Sequence, residues 1–292
     1  MLMYWLQQGV NAVQLGSIYA LIALGYSLVY GVLSMINFAH GDIFMVGAFV
    51  CLFAATQLGL PCIPTLLCTI GVAALLGAGI ERVAYRPLRQ APRVSAVITA
   101  LGVGLCLENV MLALNPYPQN VPQLLADERF AWGGLGLSSV QLLVIGVSTG
   151  LVLMLDRIVH HSRMGMAMRA IAWDRASVPL MGVPVDRVIA FTFALGAGLA
   201  GAAGVLYSMA YPVIDPGMGI MVGWKAFIAT VVGGIGRVRG ALLGAYLLGG
   251  IEILVVALLP STFRDLVVFS LLLGFVVIRP YGLLGRPTVQ KV

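Results

Sequence analysis

Long apolar stretches, separated by short polar segments, follow one another along nearly the whole chain. A hydrocarbon core of ~30 Å needs about 20 helical residues, and most of these stretches reach that length. The stretches are 9–34, 37–57, 61–81, 94–114, 138–156, 188–211, 217–235, 240–259 and 263–279. Glycines interrupt the stretch 217–235, which is therefore a candidate for a broken or re-entrant helix. We expect an all-α polytopic membrane protein with eight or nine transmembrane helices, forming a single domain over residues 1–292.

Basic residues cluster in a few of the polar segments between these stretches. They fall within 82–93, 157–187, 237–239 and 279–291, and these four groups hold most of the 17 Lys and Arg residues. Cytoplasmic loops of membrane proteins are enriched in Lys and Arg. If the chain crosses the membrane nine times, all four groups lie in the cytoplasm and the N-terminus lies outside. The charge pattern therefore favours a crossing by 217–235, and it places the loop 115–137 outside.

The longest polar segment, 156–187, contains a short amphipathic pattern. Met164, Met168 and Ile171 are spaced i, i+4 and i+7, which predicts a helix with one apolar face. Two interpretations are open. The helix lies along the membrane with its Met-rich face available to a partner protein, or that face packs on its own bundle or on lipid headgroups.

The second half of this segment carries signals for another short helix. Ser177 and Pro179 suit a helix start, because proline is tolerated in a first turn. Gly182 followed by Pro184 is typical of a helix end.

Composition narrows the class of protein. The chain is 60% hydrophobic and only 10% charged, which excludes an ordinary soluble domain. Its net charge of +6 follows the loops between apolar stretches and forms no stripe with interleaved aromatics, so we do not expect nucleic-acid binding. The four cysteines lack metal-ligand spacing and are interpreted as small apolar packing residues. The N-terminal residues lack a basic region and a cleavage site, so no removable signal peptide is expected.

Small residues four positions apart predict close helix contacts. The pairs are Ala197/Gly201, Ala200/Gly204 and Gly240/Gly244. Such spacing lets helix backbones approach closely in a membrane.

The segment NFAHGD, 37–42, places three polar side chains beside an apolar stretch. One interpretation is a broken helix near a translocation path, since polar groups in a membrane are tolerated where they line a cavity. The other is a helix start at the interface, with Asn37 or Asp42 as the cap. A metal site is not expected here, because His40 stands alone without partner ligands.

Glu108, Lys225 and Glu252 are ionisable residues inside apolar stretches. A charge at this depth is costly and usually faces the interior of the bundle or a wet cavity. Lys225 can pair with Glu252 or Glu108. The result is either a structural ion pair or part of the polar wall of a substrate path.

The chain shows no motif for catalysis or for ATP binding. The sequence GGIG at 233–236 lacks the Lys-Ser/Thr of a phosphate-binding loop, and no GxxxxGK[ST] is present. Neither GxSxG nor HExxH occurs. We expect a chain that is not an enzyme.

Several stretches together resemble the permease subunits of high-affinity branched-chain amino acid ABC transporters of the LivH type. They are GSIYALIALGYSLVYG (16–31), INFAHGD (36–42), ERVAYRPLR (81–89), SRMGMAMRAIAWD (162–174), MGVPVDRVIAFTFALGAGLAGAAGVLY (181–207), GWKAF (223–227), VVGGIGRVRGALLG (231–244) and GLLGRP (282–287). Together they run nearly from end to end.

The resemblance implies an importer in the bacterial inner membrane. A second homologous permease, usually in a heterodimer, completes the membrane core. Two cytoplasmic ABC ATPases use ATP, and an extracytoplasmic binding protein delivers the substrate. This chain itself is expected to bind no cofactor and no metal.

The resemblance also assigns a role to the segment 157–187, which is similar to the coupling loop that docks ABC permeases onto their ATPases. It implies ATPase coupling by Arg169, Asp174, Arg175, Ala176 and Gly182. Ala176 and Gly182 match the small residue and the glycine of that loop, whereas Pro179 departs from its usual apolar residue. For the substrate path, the residues we expect are Asn37, His40, Lys225 and Glu252.

Alternative functions remain open. Other members of the resembled family carry urea, short amides or aromatic acids. A secondary transporter that works without ATP needs an ion-coupling relay, and intramembrane carboxylates are scarce here.

Overall fold

The computed structural model of the chain describes residues 1–89, 91–132, 135–175, 177–279 and 282–284. These residues are mostly helical. The helices are α1 (Leu2–Leu33), α2 (His40–Thr56), α3 (Cys62–Ile80), α4 (Arg93–Leu114), α5 (Ser139–His161), α6 (Arg163–Trp173), α7 (Val185–Ala210), α8 (Met218–Gly233), α9 (Val238–Leu258) and α10 (Phe263–Ile278). A π-helical turn, Glu81–Tyr85, extends α3, and a 3₁₀ helix, Val178–Met181, precedes α7.

Each of the nine predicted apolar stretches forms one helix, so the expectation of an all-α polytopic membrane protein is confirmed. Within the described residues, six helices are long and apolar enough to cross a membrane, namely α1, α3 with its π-turn, α4, α5, α7 and α9. Helices α2 and α8 are apolar but shorter, with 17 and 16 residues. At 1.5 Å per residue they extend only about 25 Å.

The expectation of a break inside 217–235 is wrong, because α8 is one continuous helix from Met218 to Gly233. Its glycines serve packing instead. A Cβ added at Gly219 would lie 2.8 Å from the carbonyl oxygen of Gly41, and one added at Gly223 would lie 2.8 Å from the Gly41 Cα. Glycine therefore lets α8 touch the backbone of α2.

Helices α1, α2 and α7 form the centre of the bundle. In the most apolar window of α1, 83% of the residues are buried, compared with 11% in α4. The predicted small-residue contacts occur at this centre. Gly201 meets Ala73 and Thr69 of α3, and Gly204 meets the backbone of α2 near Ala48. The outward faces of α3, α4 and α5 are apolar and exposed, as expected for helices that contact lipid or another apolar surface.

The described members of all four basic groups lie at the same end of the bundle, which we call the basic end. Asp186, at the start of α7, pairs with Arg86 and Arg89 after α3, both at 2.5 Å. Leu283 donates to the Val232 carbonyl oxygen at the end of α8, and Arg237 donates to the Leu284 carbonyl oxygen.

The opposite end carries four short strands. They are β1 (Gln119–Asn120), β2 (Arg129–Trp132), β3 (Leu135–Ser138) and β4 (Val213–Ile214). β1 pairs antiparallel with β4, and β2 pairs antiparallel with β3. The first pairing ties the predicted outer loop to the end of α7.

Candidate functional site

A cavity of about 170 Å³ lies between α2, α4 and α8, and we call it the central cavity. Its polar lining residues are Asp42, Glu108 and Tyr26. Its depth follows from Gly104, which touches the Asp42 carboxylate and is the twelfth residue of the 22-residue helix α4. At 1.5 Å per residue, Gly104 is roughly 16 Å from either end of α4. The cavity therefore lies near the middle of the bundle.

Helix α2 places Asp42 in this position, because its first turn begins inside the bundle. His40 packs beside Gly25, in the interior of α1, and its ring lies 4.7 Å from the Tyr26 ring. Asp42 follows two residues later and is only 7% exposed. Its Oδ1 atom is buried without a hydrogen-bond partner. A carboxylate in a first turn is favoured by the helix dipole, but an unpartnered buried oxygen is costly.

The interpretation of Asn37 or Asp42 as the cap of a helix at the interface is wrong. Ala39 occupies the N-cap position of α2, and no side chain caps it. Asn37 Oδ1 instead accepts a hydrogen bond of 2.9 Å from the Tyr85 hydroxyl of the π-helical turn. Asn37 thereby ties the entrance of α2 to the end of α3.

Four aromatic rings form a continuous wall on the other side of the central cavity. The Phe38 ring lies 5.6 Å from Trp224 and 5.7 Å from Phe227. Phe227 also lies 6.0 Å from Tyr26. All four rings line the cavity.

Of the two partners considered for Lys225, Glu252 is the one that it contacts. Lys225 Nζ donates to Glu252 Oε1 at 2.8 Å, and the two side chains are 4% and 1% exposed. The Tyr19 hydroxyl donates to Glu252 Oε2 at 2.8 Å. Arg264 and Asp265 of α10 complete the cluster, with Arg264 3.0 Å from Glu252 and Asp265 2.8 Å from Lys225. We call these five residues the α9 charge cluster.

Two of the four residues expected in a substrate path thus lie in the α9 charge cluster, and the other two flank the first turn of α2. None of the four lines the central cavity. Asp42 and Glu108 do, although neither was among the four residues expected in the substrate path. The signal was present, because both are carboxylates within or beside apolar stretches.

A larger cavity of about 580 Å³ opens at the end opposite the basic end. At that end of the bundle, α1, α5 and α7 form its walls, together with residues in the range 121–129, Gly136 and Ser138. Gln141 of α5 donates to Asn11 of α1 at 2.9 Å beside it. Both polar and apolar side chains reach this cavity, including Gln14, Asp127, Arg129 and Met209.

The segment 163–182 forms an exposed surface at the basic end. Three of its large apolar side chains are almost fully exposed, with Trp173 at 91%, Leu180 at 88% and Met181 at 80%. Gly182 ends the 3₁₀ helix with φ of +74°, as expected for a glycine at a helix end. The predicted second short helix and its glycine stop are therefore confirmed.

The Met-rich face of α6 turns inward, so the interpretation that it is available to a partner is wrong. Met168 and Ile171 are both 2% exposed, and Met164 packs against the same core. Burial of this face against α1, α5 and α7 removes apolar surface from water. The exposed apolar side chains lie off this face, at Met166 and Trp173 of α6 and in the 3₁₀ helix.

Hydrogen bonds fix the shape of this surface. Asp174 Oδ2 accepts from the Ser177 hydroxyl at 2.5 Å, and Arg169 donates to the Val159 carbonyl oxygen. Arg175 lies near Arg89 and Asp186. Burial lowers the pKa of the Arg175 guanidinium, Arg89 lowers it further, and Asp186 opposes the shift. Ala176 lies outside the described residues.

Comparison with known proteins identifies the family. The family model described as "Branched-chain amino acid transport system / permease component" matches residues 10–278. The chain belongs to this permease family. It is 42% identical to the Pseudomonas aeruginosa protein named high-affinity branched-chain amino acid transport system permease protein BraD, over 99% of this chain and 98% of that protein. The Escherichia coli K12 permease LivH, of the same transport system by name, is also 42% identical, with the same coverage of both chains.

A solved structure supports the fold of this permease. PsaBC from Streptococcus pneumoniae in complex with Fab matches with a TM-score of 0.50 and 15% identity. The match covers 93% of the permease and 91% of that chain. At this identity the likeness concerns the fold alone.

Among the described residues of the permease, no group of three or more His, Cys, Asp or Glu side chains gathers as a metal site requires. The central cavity, the α9 charge cluster and the exposed surface at the basic end are the features of this permease that bear on transport.

Proposed function

We propose that this chain is the membrane-spanning permease subunit of an ATP-driven importer of branched-chain or related hydrophobic amino acids. The observation that carries the proposal is 42% identity, over nearly the full length, to permeases named for high-affinity branched-chain amino acid transport. The substrate crosses the membrane without chemical change, and the chain has no catalytic role.

The proposal includes several partners. A second homologous permease forms a heterodimer with this chain in the bacterial inner membrane. Two ABC ATPases bind from the cytoplasm and use the ATP, so this chain holds no cofactor. A binding protein delivers the amino acid on the other side. Exposed apolar side chains along α4, such as Ile98 and Leu112, suit contact with lipid or with the second permease.

We place the basic end in the cytoplasm, with the N-terminus outside and the C-terminus inside. The positive-inside pattern supports this orientation. In this orientation the functional permease has nine crossings, and α2 and α8 cross as helices of only 17 and 16 residues.

The exposed surface at the basic end is our candidate for ATPase docking. Trp173, Leu180 and Met181 are large apolar side chains that a soluble surface would rarely expose together. Arg169, Asp174, Arg175, Ala176 and Gly182 belong to the same coupling loop in this proposal. Asp174 and Gly182 shape its turns, whereas Arg175 supplies charge.

The mechanism follows from a rigid connection between this loop and the bundle. ATP binding closes the ATPase pair and shifts the docked loop. Because α6 packs on α1, α5 and α7 through Met168 and Ile171, the shift reaches the central helices. Packed helices have few alternative arrangements, so a small displacement changes which side of the membrane the path opens to.

The four substrate-path residues enter this proposal in two groups. Asn37 and His40 set the position of the first turn of α2, from which Asp42 reaches the central cavity. Lys225 and Glu252 hold α8 against α9 and flank the path from the other side. Burial of all four side chains supports a role in forming the path.

Copurification tests the docking assignment. The chain is tagged, expressed with its partner subunits and purified from membranes. We expect recovery of an ATPase subunit that hydrolyses ATP, and a several-fold lower recovery when Trp173→Ser and Leu180→Ser are combined. The control combines Leu58→Ser and Tyr117→Ser, which remove exposed apolar side chains away from this segment. Equal ATPase recovery in both variants contradicts docking at this surface.

The substrate is tested through the binding protein of the same system. We expect the purified binding protein to retain leucine, isoleucine or valine and to stimulate ATP hydrolysis by the complex when loaded. A binding protein that ignores these three amino acids and retains urea, an amide or an aromatic acid contradicts the substrate assignment.

A further inference from the structure

The central cavity has the composition of a site for an organic cation. Its lining combines two carboxylates with four aromatic rings, and among its described lining residues none is Lys or Arg. Cations bind over aromatic faces within about 6 Å of the ring centroid, and they pair with carboxylates. We propose that Asp42 and Glu108, with this aromatic wall, bind the α-ammonium group of the amino acid on its way through the membrane.

The unpartnered oxygen of Asp42 is the strongest support for this site. Its Oδ1 atom is buried and accepts no hydrogen bond, in a side chain that lines the cavity. Such a group in the middle of a membrane is costly unless a cavity supplies water or a cation. A charged ammonium group donates up to three hydrogen bonds and satisfies that oxygen directly.

Glu108 provides the second carboxylate. It lies one turn beyond Gly104 on α4 and lines the same cavity as Asp42. Within the described residues, neither Asp42 nor Glu108 has an ion-pair partner, in contrast to Lys225 and Glu252. The two carboxylates therefore leave a negative charge in the cavity for a ligand to neutralise.

Glycines let the helix backbones approach these groups closely around the cavity. A Cβ at Gly219 would lie 3.0 Å from Asp42 Oδ1, and one at Gly223 would lie 3.4 Å from the Tyr26 hydroxyl. A Cβ at Gly104 would overlap the Asp42 carboxylate. The volume of about 170 Å³ is below the ~300 Å³ at which drug-sized pockets begin, and suits a small solute.

The remaining lining residues fit the other part of the substrate. Leu101, Leu105 and Ile220 present apolar side chains beside the cavity. A branched aliphatic side chain packs well against such residues, because its contact removes apolar surface from water. The site thus recognises a cationic head and an aliphatic side chain. This inference rests on the proposed function for the identity of the ligand, but the cation site can be tested without leucine.

The test uses the complete importer, purified in detergent, and two probes that separate the charges of leucine. The amine 3-methylbutylammonium retains the ammonium group and the branched chain. The acid 4-methylpentanoate retains the carboxylate and the branched chain. We expect calorimetry to show binding of the amine and not of the acid. The combination of Asp42→Asn and Glu108→Gln should weaken amine binding at least tenfold.

Controls separate a binding defect from a folding defect. Asp156→Asn changes an exposed carboxylate at the end of α5 and should leave amine binding unchanged. Trp224→Ala should weaken amine binding more than Trp224→Phe does, because phenylalanine keeps a π-face. All variants are compared at equal recovery of the assembled complex.

The proposal is overturned if the parent complex does not bind the amine, or if the double variant binds it as tightly as the parent. Leucine uptake by the parent is measured separately. Amine binding that depends on Asp42 and Glu108, without leucine uptake, keeps the cation site and refutes the proposed substrate. Leucine uptake without such amine binding keeps the proposed substrate and refutes the cation site.

Discussion

Glu252 accepts hydrogen bonds or ion pairs from three side chains in the α9 charge cluster. Tyr19 and Lys225 each donate to it at 2.8 Å, and Arg264 lies 3.0 Å away. Burying charges is tolerated only when such partners satisfy them. The cluster connects α1, α8, α9 and α10, so it couples the position of these helices.

A double-mutant cycle tests this coupling. Lys225→Met leaves Glu252 with Arg264 as its remaining cation, so we expect a loss below the ~3–5 kcal/mol typical of a broken buried pair. The combination of Lys225→Met and Glu252→Gln should lose less than the sum of the single changes. Thermal unfolding of the detergent-purified protein measures the losses. Simple additivity would show that the two side chains do not interact.

Gly41 permits the close contact of α2 with α8 beside the central cavity. A Cβ at this position would lie 2.8 Å from the Gly223 Cα and would overlap the Gly219 carbonyl oxygen. We expect Gly41→Ala to destabilise the protein by about 1–3 kcal/mol, since both neighbours are backbone. Gly71→Ala in α3 is the control, because nothing lies within 4 Å of its added Cβ. Equal melting temperatures for the two variants would contradict the close approach.

Residue types alone limited the partner of Lys225 to Glu252 or Glu108, because charges inside apolar stretches are few. They could not predict the central cavity. Its members come from α1, α2, α4 and α8, and only tertiary packing brings Asp42 beside Glu108. The two carboxylates are like charges, so no pairing rule links them in the sequence.

At the scale of elements, the segment 163–182 divides into an anchored part and an exposed part. Helix α6 is anchored through Met168 and Ile171, and the 3₁₀ helix exposes Leu180 and Met181. Gly182 joins the exposed part to α7, in a backbone conformation that glycine adopts readily.

Gly182→Ala tests whether this turn transmits movement. Nothing lies within 4 Å of an added Cβ, so the effect is confined to the left-handed backbone, which costs other residues roughly 1–2 kcal/mol. We expect assembly and basal ATP hydrolysis to persist, while leucine transported per ATP falls severalfold.

Gly59→Ala is the matched control for this turn. Gly59 has φ of +61°, an open Cβ position and a place between α2 and α3, outside the segment 163–182. Its replacement introduces the same kind of strain away from the docking surface. If both variants transport leucine equally well per ATP, Gly182 has no special role in coupling.

Hydrophobic patterns predicted the existence of the helices well, because each apolar stretch is long enough for one helix. They left the orientation of α6 open, since an amphipathic pattern shows that a face is buried and not what covers it. They failed for the glycines of α8. Glycine weakens an isolated helix, but at Gly219 and Gly223 contact with α2 outweighs that preference.

At the scale of the whole molecule, the packing of the helices places the basic groups at one end of the bundle, as the charge pattern predicts. Contacts between Asp186 and Arg86, and between Arg237 and Leu284, gather the basic groups at one end. That arrangement was predictable from the count of crossings. The absolute orientation in the membrane rests on the positive-inside rule.

Labelling of single cysteines tests the orientation. After replacement of Cys51, Cys62, Cys68 and Cys106, a cysteine is introduced by Leu180→Cys or by Tyr117→Cys, both at exposed positions. We expect a membrane-impermeant maleimide to label the variant at position 117 in spheroplasts. The variant at position 180 should react only after permeabilisation. The opposite pattern inverts the proposed topology.

The central claim is that this chain forms the membrane path of an ATP-driven amino acid importer. The most direct measurement is the uptake of radiolabelled leucine into proteoliposomes that contain the complete importer and its loaded binding protein. We predict uptake that requires ATP and is lost when the ATPase subunits are omitted. Robust leucine uptake by this chain alone, without ATP, would contradict the account.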